Sequence, residues 1–233
     1  MIRENILKIK EKIASSCAKA GRLSNEVALV CVSKNRSFED IQEVWEAGIT
    51  DIAENKVQEA LVHHKAIEDA SCGRQIKWHM VGHLQTNKVK EAVKIFDLIH
   101  SVDSLRLAEE IDKQARKIGK IQDILIEVNV SGEKSKFGVS PKELFDLASS
   151  SAEFKNIRLL GLMAMAPEND DPEKARPYFR RLKELLGGVN AGPTTKYKLQ
   201  TLSMGMSDDF PVAVEEGATM VRIGRAVFEE VGS

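Results

Sequence analysis

Along this chain the apolar positions switch repeatedly between two periods: short unbroken or alternating runs, and stretches repeating every third and fourth residue. Residues 2 to about 20 place Ile6, Leu7, Ile13, Ala14 and Cys17, with Ile9 less regularly set, among Lys and Glu. That spacing predicts an amphipathic helix ended by Gly21. Ala28-Leu29-Val30-Cys31-Val32-Ser33-Lys34 then reads as a buried strand whose alternation puts Ala28, Val30, Val32 and Lys34 on one face. Ser37, with Asp40 three residues on, predicts the start of a helix that Gly48 ends.

The same alternation continues to the end. Strands are predicted over 50–55, 77–82, 97–102, 124–130, 160–166, 201–206 and 220–228. Helices are predicted from about 57 to 68, over 87–96 and 104–118, from Pro141 to about 152, and over 172–186 and 208–216, with a loop at 187–198. Eight strands alternating with helices, behind one extra helix, imply an α/β chain with a parallel sheet. Eight units in 233 residues suit a single closed (β/α)8 TIM barrel better than an open doubly wound sheet. No GxGxxG follows the first strand and no linker divides the chain, so residues 1–233 are read as one domain.

Composition narrows the function classes. With 42% hydrophobic and 30% charged residues the chain is an ordinary soluble globular protein. A net charge of −1 gives no reason to expect nucleic acid or an anionic membrane as partner. Cys17, Cys31 and Cys72 show no metal or disulfide spacing, so reduced thiols in the cytoplasm are expected. Met1-Ile2-Arg3-Glu4 does not open a signal peptide, and no apolar run approaches the roughly 18 residues of a membrane span.

In a barrel the carboxyl ends of all strands meet on one face, which carries the chemistry. Lys34 ends the first strand; at the mouth of a dry pocket its amine can attack an aldehyde, while the alternative is a solvated strand-end lysine. Leu202-Ser203-Met204-Gly205-Met206-Ser207 and Val221-Arg222-Ile223-Gly224-Arg225 close strands seven and eight, where many barrels bind phosphate through backbone N–H groups. The alternative there is a pair of glycines that only let the chain turn. An amine on strand one and a phosphate site across strands seven and eight describe a holder for a phosphorylated aldehyde. Two chemistries fit: a pyridoxal phosphate imine, or a class I aldolase.

Long motifs decide between them. VSK at 32–34, EN with VQEA at 54–60, KWHMVGHLQTNKVK at 77–90, IHSVD at 99–103 and VNVSGEKSKFG at 128–138 resemble the YggS/PROSC family of pyridoxal phosphate-binding proteins. GLMAMA at 161–166, LSMGMSDDF at 202–210 and GATMVRIGRAVF at 217–228 extend the resemblance over nearly the whole chain. It implies a barrel like that of alanine racemase and pyridoxal 5′-phosphate as cofactor. It implies a Schiff base on Lys34, a phosphate cradle of Ser203, Gly205, Gly224 and Arg225, Arg222 facing the pyridine nitrogen, and Asn55 lining the cofactor. Two positions depart from the family pattern: Ala53 stands where glycine is usual, and Arg225 where threonine is usual.

If Arg222 faces the ring nitrogen, that nitrogen stays neutral, because a guanidinium does not hand over its proton, and the ring is a weak electron sink. Racemases of this type add a tyrosine base from a further β-domain and a partner subunit. This sequence ends at Ser233 and its tyrosines are Tyr178 and Tyr197. The expected role is therefore binding, buffering and delivery of pyridoxal phosphate in vitamin B6 homeostasis, with no catalytic residue assigned. A monomer is expected, with apoenzymes that require the cofactor as recipients. The alternative is a racemase-type enzyme acting on amino acids.

Other polar residues invite competing readings. His79 and His83 lie on a strand and its loop rather than on one helix face, so no metal site is expected. Glu127 is either a general base or an inward carboxylate beside a cation. Lys134 and Lys136 are either a landing site for a passing phosphate or a solvated loop. Asp208-Asp209 reads as a helix cap, and Asp112, Lys113, Arg116 and Lys117 as an exposed helix face.

Overall fold

Apolar strands that bury both faces need helices outside and side chains inside, and a barrel supplies both. The computed structural model of the chain describes residues 1–69, 76–133, 136–192 and 198–229; Cys72, Lys134 and Tyr197 lie outside the described residues. Strands β1 (Ala28–Val32), β2 (Asp51–Glu54), β3 (Lys77–Met80), β4 (Leu98–Val102), β5 (Gln122–Glu127), β6 (Ile157–Met163), β7 (Thr201–Ser203) and β8 (Met220–Ile223) pair in chain order, all parallel. The β1–β8 ladder, from Ala28↔Met220 to Cys31↔Ile223, closes the barrel.

Helices α1 (Ile2–Lys19), α2 (Phe38–Glu46), α3 (Val57–Asp69), α4 (Val89–Ile95), α5 (Leu105–Lys117), α6 (Glu143–Glu153), α7 (Arg176–Ala191), α8 (Phe210–Glu215) and α9 (Arg225–Phe228) surround it. The extra helix α1 buries Ile2, Ile6, Ile9, Ile13 and Cys17 and lies against α2, α8 and α9. Asn5 Nδ2 ties it to α9, donating to Val227 O at 3.1 Å and Glu229 O at 3.0 Å. Leu7, counted with the apolar face in the sequence, is exposed.

Alternation sorts each strand's side chains. Ile99, Ile124, Ile126, Leu162, Leu202, Val221 and Ile223 face the helices and join the main core. Leu98, Leu125 and Met163 pack inside the barrel with Leu160, Met165 and Met220. No helix among the described residues is long and apolar enough to cross a membrane.

Several boundaries differ from the sequence expectation. The helix α2 starts as predicted, with Ser37 accepting from Asp40 N and the Asp40 carboxylate accepting from Ser37 N, each at 3.2 Å. The expected loop from 187 instead continues α7 to Ala191, because Leu182, Leu185, Leu186 and Val189 keep one face buried across Gly187 and Gly188. The last strand ends at Ile223 rather than 228: Val227 N bonds Gly224 O at 2.9 Å, and Val227 and Phe228 bury as a turn of helix. The sixth strand starts three residues early, at Ile157, which pairs with Gln122. An unbroken apolar run specifies burial but not where hydrogen bonding stops.

The β5–β6 ladder shifts register between Ile124 and Leu125, opposite Gly161. A Cβ on Gly161 would lie 1.9 Å from Thr201 O, so only glycine lets β6 and β7 meet there. Gly161→Ala should therefore lower unfolding free energy by about 3 kcal/mol or more, the upper range for overpacking, read as a fall in urea midpoint with unchanged slope.

Candidate functional site

The chemistry-bearing strand ends open on a cavity of about 440 Å³ at the barrel mouth. Val32, Lys34, Met206, Ser207, Arg222, Gly224 and Arg225 line one side of it, and the 166–172 stretch after β6 the other. A volume of this order suits a small organic ligand.

Lys34 does not sit in a dry pocket. The strand β1 stops at Val32, and Lys34 is exposed in the turn that follows, at the cavity rim. The turn itself is firmly built. Ser33 N bonds Ala53 O at 2.9 Å, continuing the ladder by one step, and Arg36 N bonds Ser33 O at 3.0 Å. Asn35 adopts φ 58°, a left-handed position that asparagine tolerates. Beneath it the Ser33 hydroxyl donates to Glu54 Oε1 at 2.5 Å, and His63 Nδ1 lies 2.9 Å from the same oxygen. Burial pushes the Glu54 carboxyl up, against the pull of its Ser33 and His63 hydrogen bonds. Glu54 thus fixes the residue next to the lysine, a role the Glu-Asn motif did not disclose.

The two turns after β7 and β8 meet beside Lys34. Gly205 has φ +92°, and a Cβ there would lie 2.5 Å from the Ala213 Cβ. Arg222 N donates to Gly205 O at 3.0 Å, joining the turns. Met206 N donates to Asp209 Oδ1 at 2.6 Å, so Asp209 braces the turn instead of capping α8. Asp208 pairs with Arg225 at the exposed edge of the cavity. The Ser207 hydroxyl accepts from Ala226 N at 3.2 Å and lines the cavity, whereas Ser203 is fully buried beneath it. The serine assignment therefore shifts: Ser207, not Ser203, offers a hydroxyl to the cavity, and strand alternation does not distinguish residues beyond the last ladder bond.

Under the cavity the barrel interior is polar. Arg222, 4% exposed, donates from Nη1 to Ser203 Oγ at 2.7 Å and from Nη2 to Ala164 O at 3.0 Å. Burial brings it down to about 10, with the charges of Glu127 and Asp209 opposing, so it remains a cation at neutral pH. Glu127 is buried, and desolvation lifts it to about 7 against the pull of Arg222.

The remaining candidates separate. Asn55 lines a different cavity of about 260 Å³ with His83, Gln85 and Lys88, away from Lys34. His79 is buried within the barrel, while His83 stacks on Phe137 at 4.1 Å and lies 3.2 Å from Asp103, so the two histidines share no site. No metal-holding cluster occurs among the described residues. Lys136 pairs with Glu133 at 3.4 Å within its own loop. Asp112 is no free surface charge: it accepts from Asn156 N at 2.7 Å and anchors the start of β6.

The buried Glu127 predicts a pH signature. Its folded value, about 7, exceeds the ordinary 4.5, so the folded state resists ionisation. The resulting destabilisation is absent below the lower value, grows as pH rises through the window between them, and is constant above. Glu127→Gln should match wild type near the acid end and exceed it by up to about 3 kcal/mol above neutrality, in urea unfolding across pH.

Comparison with known proteins places this geometry. The family model described as "Alanine racemase, N-terminal domain" matches residues 2–230. A pyridoxal phosphate homeostasis protein of Aquifex aeolicus is 44% identical over 97% of each chain, and one of Pseudomonas aeruginosa is 39% identical over 97% of this chain and 94% of its own. PipY of Synechococcus elongatus, solved with pyridoxal phosphate bound, superposes with TM-score 0.85 at 31% identity, covering 98% of this chain and 100% of that one. An alanine racemase of Clostridium difficile shares the fold, with TM-score 0.74 at 14% identity over 57% of its length. The chain thus belongs to the pyridoxal phosphate homeostasis proteins, within the wider alanine racemase N-terminal-domain family.

Proposed function

We propose that this chain holds pyridoxal 5′-phosphate at the barrel mouth, linked covalently to Lys34, and serves as a buffer and carrier of the cofactor. The observation that carries this reading is the single cavity shared by the Lys34 amine, the Ser207 hydroxyl, the Gly224 turn and the Arg225 guanidinium. The relatives named for pyridoxal phosphate homeostasis, and PipY solved with the cofactor, support it.

The donor set fits such a group. Lys34 Nζ would hold the aldehyde carbon of the group, as a C=N bond made with loss of water. The turns at Gly205–Ser207 and Gly224–Ala226 would face an anion with the Ser207 hydroxyl, the Gly224 backbone and the Arg225 side chain. A Cβ on Gly224 would come within 3.2 Å of Val32 O, so this wall sits close to the strand that delivers the lysine. Arg225 adds a positive charge where a hydroxyl would serve in relatives with threonine. Arg222 presents a fixed cation from below and keeps its protons, since both its terminal nitrogens are bonded to Ser203 and Ala164. When bound, pyridoxal phosphate supplies an aldehyde and an aromatic ring that withdraws electrons, weakly when its nitrogen stays unprotonated.

The carrier reading is favoured over a racemase-type enzyme by the relatives: the homeostasis protein of Aquifex aeolicus is 44% identical, the alanine racemase of Clostridium difficile 14%. Ala166, Pro167, Asn169 and Pro172 line the cavity with Glu168 and Asp171, and Tyr178 packs against the core. Residues 1–233 act in this reading as one domain, a monomer in the cytoplasm, passing the cofactor to apoenzymes that need it. The unpaired buried thiols Cys17 and Cys31 accord with a reducing compartment.

The purified protein mixed with pyridoxal phosphate should turn yellow, and borohydride should fix the label on the peptide containing Lys34. Lys34→Ala should stay colourless. Label on another lysine overturns the attachment, and racemisation or transamination near roughly 10 per second overturns the carrier role.

A further inference from the structure

A hydrogen-bonded chain crosses the barrel interior beneath the cavity. Asp51 Oδ1 lies 3.1 Å from His79 Nε2, and His79 Nδ1 lies 2.9 Å from His100 Nε2. His100 Nδ1 lies 2.9 Å from Ser203 Oγ, which accepts from Arg222 Nη1 at 2.7 Å. The five residues come from β2, β3, β4, β7 and β8. Four of them are buried, and Asp51, first residue of β2 at the barrel floor, keeps 20% of its side chain exposed.

The chemistry of its two ends gives the chain a direction. A guanidinium has only donors, and an ionised carboxylate only acceptors. Burial raises Asp51, but the hydrogen bond and charge of His79 outweigh it and hold the carboxyl below its ordinary value. One arrangement satisfies every atom. Arg222 Nη1–H donates to Ser203 Oγ, Ser203 O–H to His100 Nδ1, His100 Nε2–H to His79 Nδ1, and His79 Nε2–H to Asp51.

We propose that Asp51, His79 and His100 are positioning residues for the cofactor site: held in these tautomers, they seat Arg222 through Ser203. Were His79 to carry its proton on Nδ1 instead, His100 would have to accept at Nε2 and donate from Nδ1, so Ser203 Oγ would receive two N–H groups and its own O–H would lose its acceptor in a buried place. Lys77 faces Asp51 across the β2–β3 register, Glu127 and Asp209 act on Arg222, and Asp103 on Glu127; these complete the charges around the chain. The effect on cofactor binding rests on the function proposed above, whereas the proton arrangement belongs to the chain alone.

Nitrogen-15 NMR of imidazole-labelled protein, cofactor-free and cofactor-loaded, reads the arrangement directly. Near pH 8 both His79 and His100 should be Nε2–H tautomers. Either histidine as the Nδ1–H form near pH 8 overturns the proposal. A glutamine at 79 can accept from His100 and donate to Asp51. His79→Gln should bind pyridoxal phosphate within about twofold of wild type near pH 8. His79→Leu should bind about tenfold more weakly near pH 8. Full affinity in His79→Leu, or an equally large loss in His79→Gln, overturns it. Absence of any cofactor binding by wild type would sink the function and leave the tautomer result standing.

Discussion

A guanidinium placed inside a barrel dictates much of what surrounds it. Arg222 on β8 is almost without solvent, and a charge in such a place persists only with its donors satisfied. Ser203 on β7 and Ala164 just beyond β6 satisfy them, and Glu127 on β5 contributes opposing charge. Those partners occupy positions where a barrel usually packs branched aliphatic side chains. The inner apolar cluster around Leu98, Leu125 and Met163 is correspondingly small, and the larger core lies outside, between strands and helices.

That division assigns different tasks to the two faces of each strand. Outward residues such as Ile52, Ile99, Ile126 and Val221 hold the helices and supply the hydrophobic stabilisation. Inward residues carry hydrogen bonds from the floor, at Asp51, to the mouth, at Arg222. The turns past the strand ends then present the groups that line the cavity. Lys34 projects from a turn braced by Ser33 and Glu54, and Ser207 and Arg225 come from the turns after β7 and β8. Rigid strands place these turns, while the exposed lysine keeps access to incoming and departing molecules.

Strand number, order and closure were legible because each β-branched run is followed by an amphipathic stretch of helical period. That Lys34, Arg222, Gly224 and Arg225 gather at one cavity was legible because strand ends in a barrel converge. Less was legible where the backbone leaves its ladder. The exposure of Lys34 and the preference for Ser207 over Ser203 depend on turns whose direction no period encodes. The displaced Asn55 depends on the close approach of Gly82, where a Cβ would meet Asn55 O at 2.3 Å. The pairing of His79 with His100 joins residues 21 apart on neighbouring strands, a contact that spacing along the chain does not show. The glycines at 187 and 188 read as a breaker because composition shows their freedom but not the apolar neighbours that hold them in helix.

The exposed pair of Arg225 and Asp208 bears on how an anion would be found as well as how it is held. Opposite charges in contact present a dipole to distant solvent, and a dipole's field dies away faster than that of a lone cation. With a net charge of −1 on the whole chain, little long-range attraction draws phosphates from the bulk. Paired in this way, Arg225 acts on an arriving anion at short range, through contact, more than from afar.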